Sequence, residues 1–207
     1  MTGTPGGRGP VAAVGVLGSA FNPPHLGHLA LAQEAIWQLG LDRVLFVPTG
    51  QAPHKRILDD PGGELRLAMT RLATTEDERF VASTAEIDRE GPSYTCETLE
   101  ALGQEVDDGL VFVMGADAAL GLESWREPER VLELARVAIA ERADVSMESV
   151  LDGVARLGGE GRVTTFSMPR VDVSSTAVRE RVAAGRPYRF LVPERVADRI
   201  EREGLYR

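Results

Sequence analysis

Cysteine and lysine are nearly missing from this chain. Its 207 residues hold one of each, Cys96 and Lys55, beside 22 arginines and three histidines. A lone cysteine forms no intrachain disulfide, and without a Cys cluster there is no zinc framework. Cys96 has no helix-start His beside it in sequence, so it reads as a small buried hydrophobe rather than a nucleophile. No apolar run approaches the ~18 residues of a membrane span. Residues 1–10 (MTGTPGGRGP) lack the apolar segment of a secretory signal, so a flexible tail on a cytoplasmic protein is expected. Positive charge is also scarce: the net charge of -9 argues against a general nucleic-acid binder, which needs a basic surface. There is no GxxxxGK[ST] loop and no spaced GxGxxG fingerprint, which sets aside P-loop proteins and dinucleotide dehydrogenases.

What remains is an ordinary soluble composition, 43% hydrophobic and 27% charged, with alternating strand and helix patterns. Strands are expected at Val11–Leu17, Arg43–Val47, Phe80–Ser83, Leu110–Met114, Val137–Ala140 and Val163–Phe166. Between them the 3.6-residue period predicts helices at Ala30–Gly40, Glu64–Thr74, Thr95–Gly103, Ala118–Leu122, Pro128–Ala135, Val145–Leu157, Ser175–Ala184 and Pro193–Glu203. Leu31, Ala35, Ile36 and Leu39 face inward on the first helix, and Trp37 is assigned to packing. Leu65, Leu67, Ala68, Met69 and Leu72 supply the second. Such alternation means βαβ units: an α/β, Rossmann-like, mostly parallel sheet with helices on both faces. One domain is expected over 11–207, behind the tail at 1–10.

The rare residues are not scattered. Every histidine and the only lysine fall between positions 25 and 55. His25 and His28 sit in a glycine-led turn, Gly18-Ser19-Ala20-Phe21-Asn22-Pro23-Pro24-His25-Leu26-Gly27-His28, between a buried strand and a helix. Strand carboxyl ends are where open α/β sheets bind ligands, and helix N-termini offer unpaired N–H groups to phosphate. Three-apart side chains share a helix face, so both rings can reach one anion. His54, Lys55 and Arg56 follow the second strand. Gly115-Ala116-Asp117, with Ser124-Trp125 behind, follows the fourth. Ser174-Ser175-Thr176 opens a helix that carries Arg179 one turn inside, where Ser174 or Ser175 can cap. Histidine caps and a plain N-cap with a surface arginine are the bland alternatives. Taken together, imidazoles, one ammonium, guanidiniums and two helix starts suit a polyphosphate.

These residues carry a resemblance. Phe21-Asn22-Pro23-x-His25-x-Gly27-His28 resembles the HxGH signature of nucleotidylyltransferases, and Ser174-Ser175-Thr176-x-x-Arg179 their second signature, ISSTxxR. Pro53-His54-Lys55, Gly91-Pro92-Ser93-Tyr94-Thr95, Gly115-Ala116-Asp117, Ser124-Trp125 and the closing Leu205-Tyr206-Arg207 resemble the bacterial nicotinate-nucleotide adenylyltransferases, from about Val14 to the end. The family often has Thr and Asp where this chain has Ala20 and Asn22.

The resemblance implies that ATP and nicotinate mononucleotide give deamido-NAD and pyrophosphate. It implies catalytic roles for His28, His25 and Arg179. It places ATP phosphates at Gly18, Ser19, Phe21, His54, Lys55, Ser175 and Thr176, and a ribose hydroxyl at Asp117. The mononucleotide falls to Tyr94, Thr95 and a stacking Trp125. Mg²⁺ is implied as a companion of ATP, with no protein carboxylate cage. Neither nucleic acid nor membrane is an expected partner, and oligomeric state is left open. A transferase using nicotinamide mononucleotide, phosphopantetheine or a cytidylyl substrate is the nearest alternative, and a non-catalytic ATP sensor a more distant one. Ser93 or Thr95 is expected to cap the third helix.

Overall fold

In the computed structural model, residues 13–53, 57–106 and 109–207 are described. Six strands form one sheet: β1 (Val14–Ser19), β2 (Arg43–Pro48), β3 (Phe80–Ala82), β4 (Leu110–Gly115), β5 (Ala135–Ala140) and β6 (Val163–Phe166). Their order is β3-β2-β1-β4-β5-β6, and every neighbouring pair is parallel. This is the doubly wound arrangement, whose strand order reverses direction between β1 and β4.

The alternation within each strand decides which helix covers which face. Val14, Val16, Leu45, Val47, Phe112, Met114, Val137 and Ile139 point to one side, against α3 (Thr95–Glu105), α5 (Pro128–Leu134) and α6 (Met147–Arg156). Ala13, Leu17, Val44, Phe46, Val111, Val113, Ala138 and Ala140 point to the other, against α1 (Leu26–Leu39). Strands buried on both faces read as continuous apolar runs, as these do. A third cluster joins α2 (Gly63–Ala73), α7 (Ser175–Ala183) and α8 (Glu194–Glu203) through Met69, Val178, Val196 and Ile200. α4 (Ala116–Ala119) is one turn after β4. No helix among the described residues is long and apolar enough to cross a membrane.

The element list follows the sequence pattern, but several bounds move: the fourth helix is a single turn at Ala116–Ala119 and not Ala118–Leu122, β1 runs on to Ser19, and β5 starts at Ala135. α1 begins at Leu26, four residues before the expected start, because the two histidines build its first turn. α6 begins later, at Met147, behind the N-cap Ser146. Trp37 is 82% exposed, so it lies outside the packing it was expected to join. On α2 the buried positions are Arg66, Leu67, Met69, Thr70 and Ala73, so the helix turns a guanidinium inward and leaves Leu65, Ala68 and Leu72 only partly covered.

Candidate active site

The site is built at the carboxyl ends of β1 and β4, where the sheet order reverses. Beyond β1 the chain turns sharply. Phe21 takes a left-handed φ of 47° and the Asn22-Pro23 bond is cis. His25 then stands as the extended N-cap of α1, and its backbone N–H donates to Nδ1 of His28 at 3.2 Å. The two rings stack with centroids 3.8 Å apart. That hydrogen bond fixes a tautomer: Nδ1 of His28 accepts, so in the neutral ring Nε2 carries the proton. Nε2 lies 3.4 Å from the Ser19 hydroxyl. Phe21 is fully buried and meets His28 edge-on at 4.9 Å. Its side chain therefore props the imidazole, and only its backbone could touch a ligand.

Both rings are neutral near pH 7. Burial first, and then the Arg142 guanidinium, bring His25 down to about 4. Burial also holds His28 well below its usual value, helped by His25 and by Arg142. Nδ1 of His25 is buried with no partner among the described residues, an expensive state for a polar atom.

The second signature docks on the same turn. Ser174 caps α7 by accepting from the Ala177 N–H. The Ser175 hydroxyl donates to the Pro23 carbonyl at 2.8 Å. Arg179 is buried rather than a surface arginine: Nη1 donates to the Asn22 carbonyl at 2.9 Å, Nη2 to Thr176 Oγ1 at 3.3 Å, and Nε faces Asp59 at 3.3 Å. Residues more than 150 positions apart thus form one wall.

Asn22 is the hub of that wall, and its carboxamide has a structural role that an Asp carboxylate could not fill. Its side-chain amide donates to the Leu58 carbonyl at 2.8 Å, and its Oδ1 accepts from the Tyr206 hydroxyl at 2.6 Å. Asp has no N–H for the first bond. Ala20 lends its carbonyl to Arg66.

Two cavities lie near the turn that carries the histidines. One, of about 130 Å³, is lined by Gly27, Arg142, Met168, Val171 and Asp172 among others. The other, of about 390 Å³, is lined by Ser19, Ala20, Thr49, Tyr94, Thr95 and Trp125 among others. Gly27, between the two histidines in the chain, lines the first, and Ser19, whose hydroxyl lies 3.4 Å from His28 Nε2, lines the second. Trp125 packs edge-on against Phe112 at 6.0 Å, at the rim of the core.

The third helix starts differently from expectation. Its N-cap is Tyr94, and no side chain caps it. The Ser93 hydroxyl instead accepts from the N–H groups of Gly50 and Gln51, at 3.1 and 3.2 Å. That bond crosses from α3 to the β2 loop, and it leaves the first N–H groups of α3 free of a side-chain cap. Gly50 must be glycine, since a Cβ there would lie 2.1 Å from the Glu86 carbonyl.

The remaining candidates divide. Gly18 lies inside β1. Thr176 and Arg179 line a further cavity of about 550 Å³ with Asp59 and Tyr206. Asp117 opens α4 at the end of β4 and pairs with Arg142 at 3.4 Å. His54 and Lys55, with Arg56, lie outside the described residues. Three functional positions went unread in the sequence. Arg142 lies two residues past the end of β5, so the strand-end rule used elsewhere could have found it. Arg126, adjoining Trp125, lines the larger flanking cavity. Arg66 is fully buried and spans the site's floor, donating to Ala20 and Gly50 carbonyls and to Asp60. It sits in an ordinary helical run and gives no local signal.

Comparison with known proteins agrees with this geometry. The cytidylyltransferase-like family pattern matches residues 16–181. The "Probable nicotinate-nucleotide adenylyltransferase" of Roseiflexus sp. (strain RS-1) is 43% identical over 198 residues, covering 95% of this chain and 98% of that protein. Its namesake from Thermus thermophilus is 42% identical over 195 residues, covering 94% and 99%. Among solved structures, Plasmodium falciparum nicotinic acid mononucleotide adenylyltransferase complexed with NaAD matches with a TM-score of 0.78 at 15% identity, covering 94% of this chain and 97% of that one. At that identity the structural likeness concerns the fold.

Proposed function

This chain belongs to the nicotinate-nucleotide adenylyltransferase family, within the cytidylyltransferase-like group, and from that premise we propose how its own residues transfer the adenylyl group of ATP to nicotinate mononucleotide. The products are deamido-NAD and pyrophosphate. One observation carries the reading: both signatures converge on the turn that holds a stacked, tautomer-fixed imidazole pair.

The mononucleotide's 5′-phosphate oxygen attacks the α-phosphorus of ATP. A P–O bond forms there as the bond to the β-phosphate breaks, and pyrophosphate leaves with the electron pair. The attacking oxygen is already anionic, so no general base is needed. Catalysis is then alignment and stabilisation of charge. His28 fits that role as a neutral donor, because its Nε2–H is directed toward the β1 end and needs no change of protonation. His25 stacks behind it and donates its own backbone N–H to hold the ring. Burial keeps both rings from acquiring charge, so positive potential comes from Arg142, Arg179 and the N-termini of α1 and α7.

ATP lies over the strand ends beside Gly27 and Arg142, extending beyond the small cavity there, with Asp117 toward its ribose and Ser175, Thr176 and Arg179 toward its β- and γ-phosphates. Gly18, Ser19 and the Phe21 backbone border the phosphates, and His54 and Lys55 complete the cationic set. The mononucleotide takes the cavity beside Tyr94, Thr95 and Trp125, its pyridine on Trp125 and its carboxylate toward the start of α3. A carboxylate suits N–H donors at a helix start, whereas an amide turns an NH₂ toward them.

Mg²⁺ supplies charge neutralisation for the triphosphate. The imidazole N–H, guanidinium and backbone N–H groups at this site match phosphate oxygens, and the Asp117 carboxylate is already paired with Arg142 at 3.4 Å; this set fits Mg²⁺ held by ATP phosphates and water. The substrates are free nucleotides, which suits a cytoplasmic enzyme.

The test is pyrophosphate release from ATP with a panel of acceptors. Release with nicotinate mononucleotide, with deamido-NAD recovered, is the expected result. Release only with nicotinamide mononucleotide, phosphopantetheine or a cytidylyl substrate would move the chain elsewhere in the superfamily. ATP binding without release in any mixture would leave a sensor.

A further inference from the structure

The acceptor cavity holds one charged side chain among its described lining residues, and it is Arg126. The guanidinium carbon lies 4.3 Å from the centroid of the Tyr94 ring. It adjoins Trp125, where the pyridine is placed, and Tyr94, the N-cap of α3. Glu97 and Glu127 hold the group at 3.5 and 3.4 Å. Both spacings are longer than the roughly 2.7–2.9 Å of a tight charge-assisted bond, and neither carboxylate lines the cavity. A hydrogen bond with the Tyr94 side chain engages the group as well; these contacts steady the guanidinium and leave part of its five-donor fork for a ligand.

We propose that Arg126 is a specificity-determining residue that selects acceptors whose pyridine ring carries an anion. This rests on the adenylyltransferase reading of the cavity and names the side chain behind its acceptor choice. Stacking on Trp125 cannot make the choice, because nicotinate and nicotinamide present the same ring face. The start of α3 contributes partial charges that end within a turn. A guanidinium adds a full charge and a planar fork matched to a carboxylate, while a carboxamide offers it one oxygen and no charge. The ring-stacked geometry over Tyr94 keeps the fork at the pyridine end of the cavity, away from the imidazole pair that meets the phosphate.

The two mononucleotides share ribose and phosphate, so effects through those groups cancel in the ratio of their kcat/KM values. That ratio is measured for the wild type, Arg126→Gln and Arg126→Lys at saturating ATP. The wild type is expected to favour nicotinate mononucleotide. Arg126→Gln is expected to lower the ratio about tenfold, mostly through KM for the nicotinate substrate, a loss set by one half-exposed charge pair. Arg126→Lys recovers most of the ratio, and added salt lowers it in the wild type more than in Arg126→Gln. An unchanged ratio, or equal losses with both acceptors, overturns the assignment. So does a lysine variant no better than glutamine. If the wild type used neither mononucleotide, the adenylyltransferase reading would fall with it, and that failure appears before any substitution is made.

Discussion

Replacing Arg66 with methionine tests how the floor of the site is held. Arg66 is fully buried, and its guanidinium donates to Asp60 at 2.8 Å, to the Ala20 carbonyl at 2.9 Å and to the Gly50 carbonyl at 3.2 Å. Methionine matches the stem and fills the space, but it leaves all three acceptors without their donor. Asp60 is 31% exposed and can rehydrate, so most of the cost falls on the two carbonyls. Breaking such a buried set costs about 3–5 kcal/mol. For a chain of this size each kcal/mol moves the midpoint by about 2–4 °C, so Tm should fall by roughly 6–20 °C. Function should suffer too. Ala20 lines the acceptor cavity and Gly50 follows Thr49, which also lines it, so loosening both raises KM for the acceptor. Circular dichroism melting and initial rates give the two readouts. A shift under about 2 °C, the size of an ordinary surface substitution, with KM unchanged would refute the reasoning.

His28→Ala should cut turnover by about 10²–10³, the loss expected for one oxyanion-type donor, and loss of the bond that Nδ1 accepts from the His25 N–H should lower Tm by roughly 1–8 °C; near-full turnover in the folded variant removes His28 from the chemistry. Arg179→Lys keeps charge but not the fork that spans Asn22, Thr176 and Asp59, so KM for ATP should rise about tenfold, and an unchanged KM contradicts the phosphate role. Asn22→Asp puts a carboxylate oxygen against the Leu58 carbonyl; at about 1–3 kcal/mol it should lower Tm by roughly 2–12 °C, and no change would mean the Leu58 bond carries no weight. The fourth expectation concerns pH. His25 in the folded protein sits at about 4, well below its ordinary 6.5, so between those values the unfolded chain binds more protons and stability rises with pH. The contribution is complete above about pH 6.5 and is lost as pH falls toward 4. Urea midpoints across that window should slope less in His25→Asn than in the wild type, and identical slopes would refute it.

The sheet was legible because β1, β2, β4 and β5, buried on both faces, leave near-continuous apolar runs, while the less covered β3 and β6 stand out as short β-prone segments. The two signatures were legible because glycine, proline, serine and histidine at fixed spacing have local jobs. Val173 and Ser174 lead into α7 as a capped start should. Less was visible where the determinant is distant. The start of α1 shifted because a side chain, Nδ1 of His28, takes the N–H that a backbone carbonyl or water would otherwise take. Ser93 looked like a cap, yet its hydroxyl serves Gly50 and Gln51 across the site. The inward Arg66 could not be read from α2, since what satisfies it lies on the turn after β1 and the loop after β2. Trp37 followed the size and apolarity of its side chain into the wrong class; its position on α1 faces away from the sheet.

The central claim is that the chain moves the adenylyl group, with attack at the α-phosphorus beside a neutral imidazole pair. Turnover of ATP labelled at the α-phosphate, in the presence of nicotinate mononucleotide, tests it most directly. The account predicts label in the dinucleotide and unlabelled pyrophosphate in solution, with the transfer suppressed in His28→Ala. Label retained in ADP, or a labelled dinucleotide formed equally well by His28→Ala, would contradict it.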